Sequence, residues 1–360
     1  MNSLELQADL HPLGRFLMGV HLRGLLETRL RLTQAWREHL EAMDKTLIER
    51  PVFITGMPRS GSTFLHELMA EDPENRAPRV WEVMFPIPTR KDRRSSVDFR
   101  IRKAEARLWW FRRLAPLADA VYPMRASTPH ECVGIHSYTM LSEEFVITCR
   151  IPAYEAFLRE GNLGPAYAWQ KRFLQYLQLS DPHKNWILKS PEHVYGLDHL
   201  LSVFPDAVVI QTHRNPLDVL RSSLRLNEAL EGMFAYPSDQ AQTGIREAKS
   251  LIDSMDAIRS FREAHPEFAG RFIDVHYNEL VSHPFEVVRQ IYRRLDRPLL
   301  EPASERIQRL AAGRSRYKGR HRGQPLANLG IDAVFESQRL AACSQCKVSD
   351  PDFSSFPQQG

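Results

Sequence analysis

The stretch Pro51-Val52-Phe53-Ile54-Thr55, running straight into Gly56-Met57-Pro58-Arg59-Ser60-Gly61-Ser62-Thr63, narrows the fold more than any other part of the chain. A short apolar run that stops at glycine and proline reads as a buried strand. Phe64, Leu65, Leu68 and Met69 then give one face of a helix. The loop therefore joins a strand to a helix, the setting in which backbone N–H groups freed by glycine, and the donors of a helix N-terminus, hold an anion. The nucleotide-triphosphatase pattern G-x-x-x-x-G-K followed by serine or threonine is met at both glycines and at the final hydroxyl, but Ser62 stands where the lysine belongs. The basic residue sits inside the loop instead, as Arg59. Without the lysine, a main grip on the β- and γ-phosphates is gone. An arginine beside clustered hydroxyls suits a smaller anionic group, and an anion-binding turn without catalysis is the alternative.

Three more apolar runs follow: Trp186-Ile187-Leu188, Ala207-Val208-Val209-Ile210 and Phe272-Ile273-Asp274-Val275. Val194, Leu197, Leu200, Leu201 and Phe204 follow the first at helical spacing. Pro216 takes the first-turn position of a helix after the second, and a helix from about Pro284 to Leu295 follows the third. Strands alternating with helices predict an α/β chain, a three-layer sandwich whose central parallel sheet is covered on both faces. Three divisions are expected. Residues 1–50 form a helical segment packed on the core, with Leu22, Leu25, Leu26, Leu30, Leu32, Trp36, Leu40 and Met43 as its stripe. Residues 51–300 form the α/β domain with helical insertions, and 301–360 a basic segment with a flexible tail. Within 86–125, rich in proline and in arginines such as Arg90, Arg93, Arg94, Arg100 and Arg102, an amphipathic helix containing Trp109 and Trp110 is expected, its arginines a solvated face.

At 360 residues and 43% hydrophobic, the chain can bury a large core. The net charge of +4 is dispersed, which suits an anionic ligand without arguing for nucleic acid. No apolar run reaches bilayer length and no signal peptide is visible, so a cytoplasmic protein is expected. Of the four cysteines only Cys343 and Cys346 have metal or redox spacing. They lack a second pair and a strand before them, so no metal is expected.

The loop Pro58-Arg59-Ser60-Gly61-Ser62-Thr63 resembles that of the PAPS-dependent sulfotransferases (PAPS is 3′-phosphoadenosine-5′-phosphosulfate), in particular the bacterial and tyrosylprotein members with a Pro-Arg-Ser-Gly-Ser/Thr-Thr loop. Three further segments are similar in the same order. Thr212-His213-Arg214-Asn215-Pro216 through Ser222 resembles the family's 3′-phosphate site, which implies that Arg214 and Ser222 bind that phosphate. Trp186-Ile187-Leu188-Lys189-Ser190-Pro191-Glu192-His193 implies that Lys189 contacts the transferring group. Val275-His276-Tyr277-Asn278-Glu279-Leu280-Val281 implies that Tyr277 packs on the adenine. With Arg59, Ser60, Gly61, Ser62 and Thr63 around the 5′-phosphosulfate, the resemblance implies in-line transfer of a sulfuryl group to a hydroxyl or amine, with PAPS as co-substrate.

Arg59 and Lys189 would stabilise charge on the departing phosphate. For the base, Glu82 lies about where glutamate-using members carry theirs. His193 is the second candidate because imidazole titrates near neutrality. His130 and Glu131 form a third pair, read first as shaping the acceptor pocket or capping a helix, since Thr128 stands at capping-box spacing from Glu131. The resemblance implies that a late basic segment closes over the 3′-phosphate, for which Lys318 and Arg320, within the basic run Arg314 to Arg322, are the candidates; a solvated basic tail is the equal alternative. A phosphate-loop kinase and a non-catalytic nucleotide-binding protein are the rival readings. The acceptor is left as a small molecule, lipid or sugar. Phe85, Trp109, Trp110, Phe145, Tyr154 and Phe234 suit a partly apolar one.

Overall fold

A computed structural model describes residues 2–88, 98–114, 116, 119, 123–182, 184–237 and 239–314. Cys343, Cys346, Lys318, Arg320, Arg90, Arg93 and Arg94 lie outside the described residues. Five parallel strands form one sheet in the order β2-β3-β1-β4-β5. They are β1 (Val52–Gly56), β2 (Asn75–Arg76), β3 (Asn185–Lys189), β4 (Val208–His213) and β5 (Phe272–His276). Nine helices are used below: α1 (Pro12–Glu38), α2 (Ser62–Ala70), α3 (Phe99–Leu114), α4 (Gly164–Gln178), α5 (Pro216–Glu231), α6 (Gln240–Ala264), α7 (Tyr277–Ser282), α8 (Pro284–Arg294) and α9 (Glu301–Arg314).

Alternation along the strands sorts side chains into two layers, because successive Cβ atoms point to opposite faces. Val52, Ile54, Ile187, Ile210 and Ile273 pack against Leu65 and Leu68 of α2, Val287 and Ile291 of α8, and Ile307 of α9. Phe53, Leu188, Val209 and Phe272 point the other way, to Phe173 and Leu174 of α4, Phe261 of α6, and Met18, Leu25 and Leu32 of α1. This is the three-layer α/β sandwich, with the sheet core buried on both sides. Three residues of the expected N-terminal stripe do not take part: Leu40 is 50% exposed and, within α1, Leu26 is 48% and Leu30 73% exposed. The helical turn that brings Leu25 and Leu32 into the core rotates Leu26 and Leu30 away from it.

β1 is central. The chain leaving it heads toward β2, whereas the chain leaving β4 heads toward β5 on the opposite side. A crevice therefore opens above the carboxyl ends of β1 and β4, the place where open α/β sheets receive ligands.

Candidate active site

The crevice is a cleft of roughly 910 Å³. Its floor is the loop between β1 and α2, which reaches its shape through three residues of positive φ. Gly56 is at +125°, and a Cβ there would lie 2.4 Å from the Thr212 carbonyl oxygen on β4. Gly61 is at +94° against the Tyr277 ring, and Arg59 itself is at φ 63°. Only a glycine lets β1 run so close to β4 at its last residue. Pro58, Arg59, Gly61, Ser62 and Thr63 line the cleft.

Two arginines bind the loop to the β4–α5 turn. Arg59 Nε donates to Ser222 Oγ at 3.0 Å. Arg214 donates in return to the Arg59 carbonyl oxygen at 2.8 Å, and its guanidinium carbon lies 4.0 Å from the centre of the Tyr277 ring. The Nε of Arg214 is buried with no partner among the described residues, and so is Oγ of Ser223, also in the cleft wall. Buried donors are rarely left unmatched without a reason. These two await an acceptor, and together with the open loop they fit an anion.

Lys189 enters from the end of β3, in register with Ile54. Its side chain is only 2% exposed, yet Nζ reaches the cleft, donating to Thr63 Oγ1 at 2.9 Å and forming an ion pair with Glu131. The backbone explains the pairing. Cys132 N–H donates to the Lys189 carbonyl oxygen at 2.8 Å, which holds the segment carrying Glu131 against the strand end. An anion grip and a buried lysine–carboxylate pair thus share one cleft.

A model of the sulfotransferase family matches residues 51–302. The chain belongs to the sulfotransferase family. The omega-hydroxy-beta-dihydromenaquinone-9 sulfotransferases of Mycobacterium bovis and Mycobacterium tuberculosis are each 24% identical over 294 residues, 76% of this chain and 70% of theirs. Among solved structures, sulfotransferase STF1 of Mycobacterium tuberculosis superposes with a TM-score of 0.82 at 27% identity, covering 95% of this chain and 89% of its own. Sulfotransferase STF9 of Mycobacterium avium gives 0.79 at 25% identity, covering 95% and 87%.

Not every residue singled out from the sequence faces the sulfotransferase cleft. Glu82 is 6% exposed and lines a neighbouring pocket of roughly 540 Å³. Its carboxylate accepts from Arg76 at 3.0 Å and from the Arg79 backbone N–H at 2.9 Å, so it caps its own short helix, Val80–Met84. His193 is fully buried, with Nδ1 2.9 Å from the Tyr167 hydroxyl and its edge against Phe53. Burial, then the charges of His136 and Lys189, hold its pKa well below the usual imidazole value. His193 lies inside the core and not among the residues of the cleft wall, with Nε2 buried and without a partner among the described residues.

Ser60 turns inward to the Met57 carbonyl and to Thr212 Oγ1, the latter at 2.6 Å, and braces the loop from behind. Ser222 holds Arg59; its neighbour Ser223 belongs to the cleft wall with its hydroxyl buried. Thr128 does not cap a helix that follows it: its hydroxyl bonds Arg125 on both sides, the next helix begins at Val133, and its carbonyl instead accepts from the Val80 N–H at 3.0 Å. None of Phe85, Trp109, Trp110, Phe145, Tyr154 and Phe234 lines the cleft.

Away from the phosphate loop the cleft walls mix apolar side chains, Met124, Val146, Ile147 and Leu226, with the ion pairs Glu143–Arg159 and Arg246–Glu247. Burial pushes Glu143 up to about 7 against the opposing pull of Arg159. Among the described residues no group of three His, Cys, Asp or Glu is placed to hold a metal ion.

Proposed function

We propose that this sulfotransferase moves a sulfuryl group from PAPS to a hydroxyl on a partly apolar acceptor, with Glu131 as the general base in place of Glu82. The observation that carries the reading is the meeting, in one cleft, of the Arg59–Arg214 pair with the Lys189–Glu131 pair.

PAPS, when bound, supplies an activated sulfuryl group on a phosphate leaving group. The loop from Pro58 to Thr63 would hold its 5′ end. Arg214 and Ser223, whose buried donors lack partners, would hold the 3′-phosphate, and Tyr277 would take the adenine. A guanidinium is well matched to phosphate oxygens because its N–H groups form a rigid fork. Lys189, fixed by Thr63 and removed from bulk water, places a positive charge where negative charge grows, without having to reorganise. The carboxylate of Glu131 would be the acceptor for the hydroxyl proton. It lies beside that ammonium, at the wall where an acceptor hydroxyl would enter. The apolar wall at Met124, Val146, Ile147 and Leu226 suits an acceptor with a hydrocarbon body. The Mycobacterium relatives named for a hydroxylated menaquinone are consistent with that class.

Calorimetric titration with adenosine 3′,5′-bisphosphate tests the donor half: saturable heat is expected, and ATP in its place should give much weaker binding. Incubation of the protein with labelled PAPS and a panel of hydroxyl compounds, read by mass spectrometry, tests the acceptor half. No heat with the bisphosphate would remove the ground for the whole assignment.

A further inference from the structure

Helix α3 has the make-up of a surface that meets a lipid bilayer. It is held to the body by Ala104 and Leu108, both buried, and its outward side carries Phe99, Trp109, Trp110 and Leu114, exposed at 42%, 44%, 63% and 48%. Projected down the helix axis, Phe99, Ala106 and Trp110 form the middle of the outward side. Arg102 and Arg113 flank them on one edge, and Lys103 and Arg107 on the other. All four of these cations are exposed, and the outward side has no acid. The one acidic residue of the helix, Glu105, lies to the side of this face, where it accepts from the Ala126 backbone N–H at 2.6 Å and pairs with Arg112.

A solvated helix face has no use for two neighbouring indoles in water. An apolar strip of aromatic side chains bordered by arginine and lysine is what an interfacial helix needs: rings at the headgroup level, cations on anionic lipid. The position also has a consequence. Arg112 donates to the Met124 carbonyl at 3.3 Å, and Met124 and Arg125 belong to the wall of the cleft. The helix is therefore tied to the rim of the site.

We infer that α3 docks the protein on the surface of an anionic membrane, through Phe99, Trp109 and Trp110 with Arg102, Lys103, Arg107 and Arg113. No described helix is long and apolar enough to cross a bilayer, so the contact is peripheral. The inference stands apart from the donor and base assignments, since it concerns the outer face of α3 and not the groups inside the cleft.

Co-sedimentation of the full chain with vesicles of phosphatidylcholine plus phosphatidylglycerol, against phosphatidylcholine alone, tests it. Binding is expected only to the anionic vesicles, falling as salt is raised, with a blue shift of tryptophan emission. Each cation near an anionic leaflet contributes roughly fivefold in partitioning, so the double variant Arg102→Glu/Arg113→Glu should bind about 25-fold less or weaker still. Trp110→Ser should reduce binding and remove part of the blue shift. Both variants lie on an exposed face and should keep the parent melting temperature and bisphosphate affinity. Equal binding to neutral vesicles, binding unchanged by the charge reversals, absence of vesicle binding, or tighter binding to duplex DNA than to the anionic vesicles would each overturn it.

Discussion

Replacing Glu131 and Glu82, one at a time, by glutamine separates the two positions that compete for the role of base. The structure assigns them opposite phenotypes. Glu131 faces the cleft and pairs with Lys189, so on the proposed reading Glu131→Gln removes the proton acceptor while an amide remains to receive the lysine N–H. General-base catalysis contributes about 10²–10⁴-fold, and kcat should fall by that much, with bisphosphate binding nearly unchanged. Glu82 is the partner of Arg76 in a pair whose side chains are 8% and 10% exposed. Breaking such a pair from one side costs about 3–5 kcal/mol. With an unfolding entropy of about 2.1 cal/mol/K per residue, that is a loss of roughly 4–7 °C in melting temperature for a chain of this length. Turnover per folded molecule of Glu82→Gln should stay within about threefold of the parent. Release of adenosine 3′,5′-bisphosphate from PAPS, measured with any acceptor found by the panel, gives kcat, and differential scanning calorimetry gives the melting temperature. If Glu82→Gln lost turnover a hundredfold at full stability while Glu131→Gln stayed active, the placement of the base would be wrong.

Arg214→Ala should weaken bisphosphate binding about 10–100-fold by calorimetry, the worth of hydrogen bonds from a charged donor, with less effect on a nucleotide lacking the 3′-phosphate. Burial pushes Asp274 up, but the hydrogen bonds from His213 at 2.6 Å and Arg262 at 2.7 Å outweigh that and hold it at about 2, below the ordinary 3.8. A depressed carboxyl stabilises the fold above its ordinary pKa and loses that contribution as pH falls through about 3.8 toward about 2. Asp274→Asn should therefore cost roughly 2 kcal/mol at neutral pH, and the gap from the parent, followed by denaturant titration, should narrow across that acid window. Gly56→Ala forces a Cβ against the Thr212 carbonyl at an unfavourable φ, and should cost about 2–6 kcal/mol in the same assay.

Four of the five strands were legible because strands buried on both faces leave unbroken apolar runs, as in Val52 to Ile54 and Trp186 to Leu188. β2 was not: Asn75 and Arg76 are polar, and only their pairing with Asn185 and Trp186 makes them a strand. The loop, Lys189 and Arg214 could be placed because each sits where a strand ends, a position that local sequence defines. Glu131 could not be singled out from its rivals. Its place depends on the Cys132-to-Lys189 backbone hydrogen bond, which joins segments nearly sixty residues apart and leaves no local pattern. Glu82 and His193 are the converse. Each has fitting chemistry and neighbourhood in sequence, but a turn of backbone spends the first on a helix start and packs the second against Phe53.

Arg59 reaches across to the helix behind Arg214, and Arg214 reaches back to the carbonyl of Arg59. A clasp of this kind makes each hand the other's support. On the proposed reading, a 3′-phosphate would engage the unpartnered Nε of Arg214 while Nη1 keeps its bond to the Arg59 carbonyl, so occupancy at one end would firm the loop that holds the other. Ligands carrying only half of the charge pattern should then bind more poorly than the sum of their parts suggests, which would give the enzyme selectivity for a doubly anionic donor over the abundant singly tailed nucleotides without a steric gate.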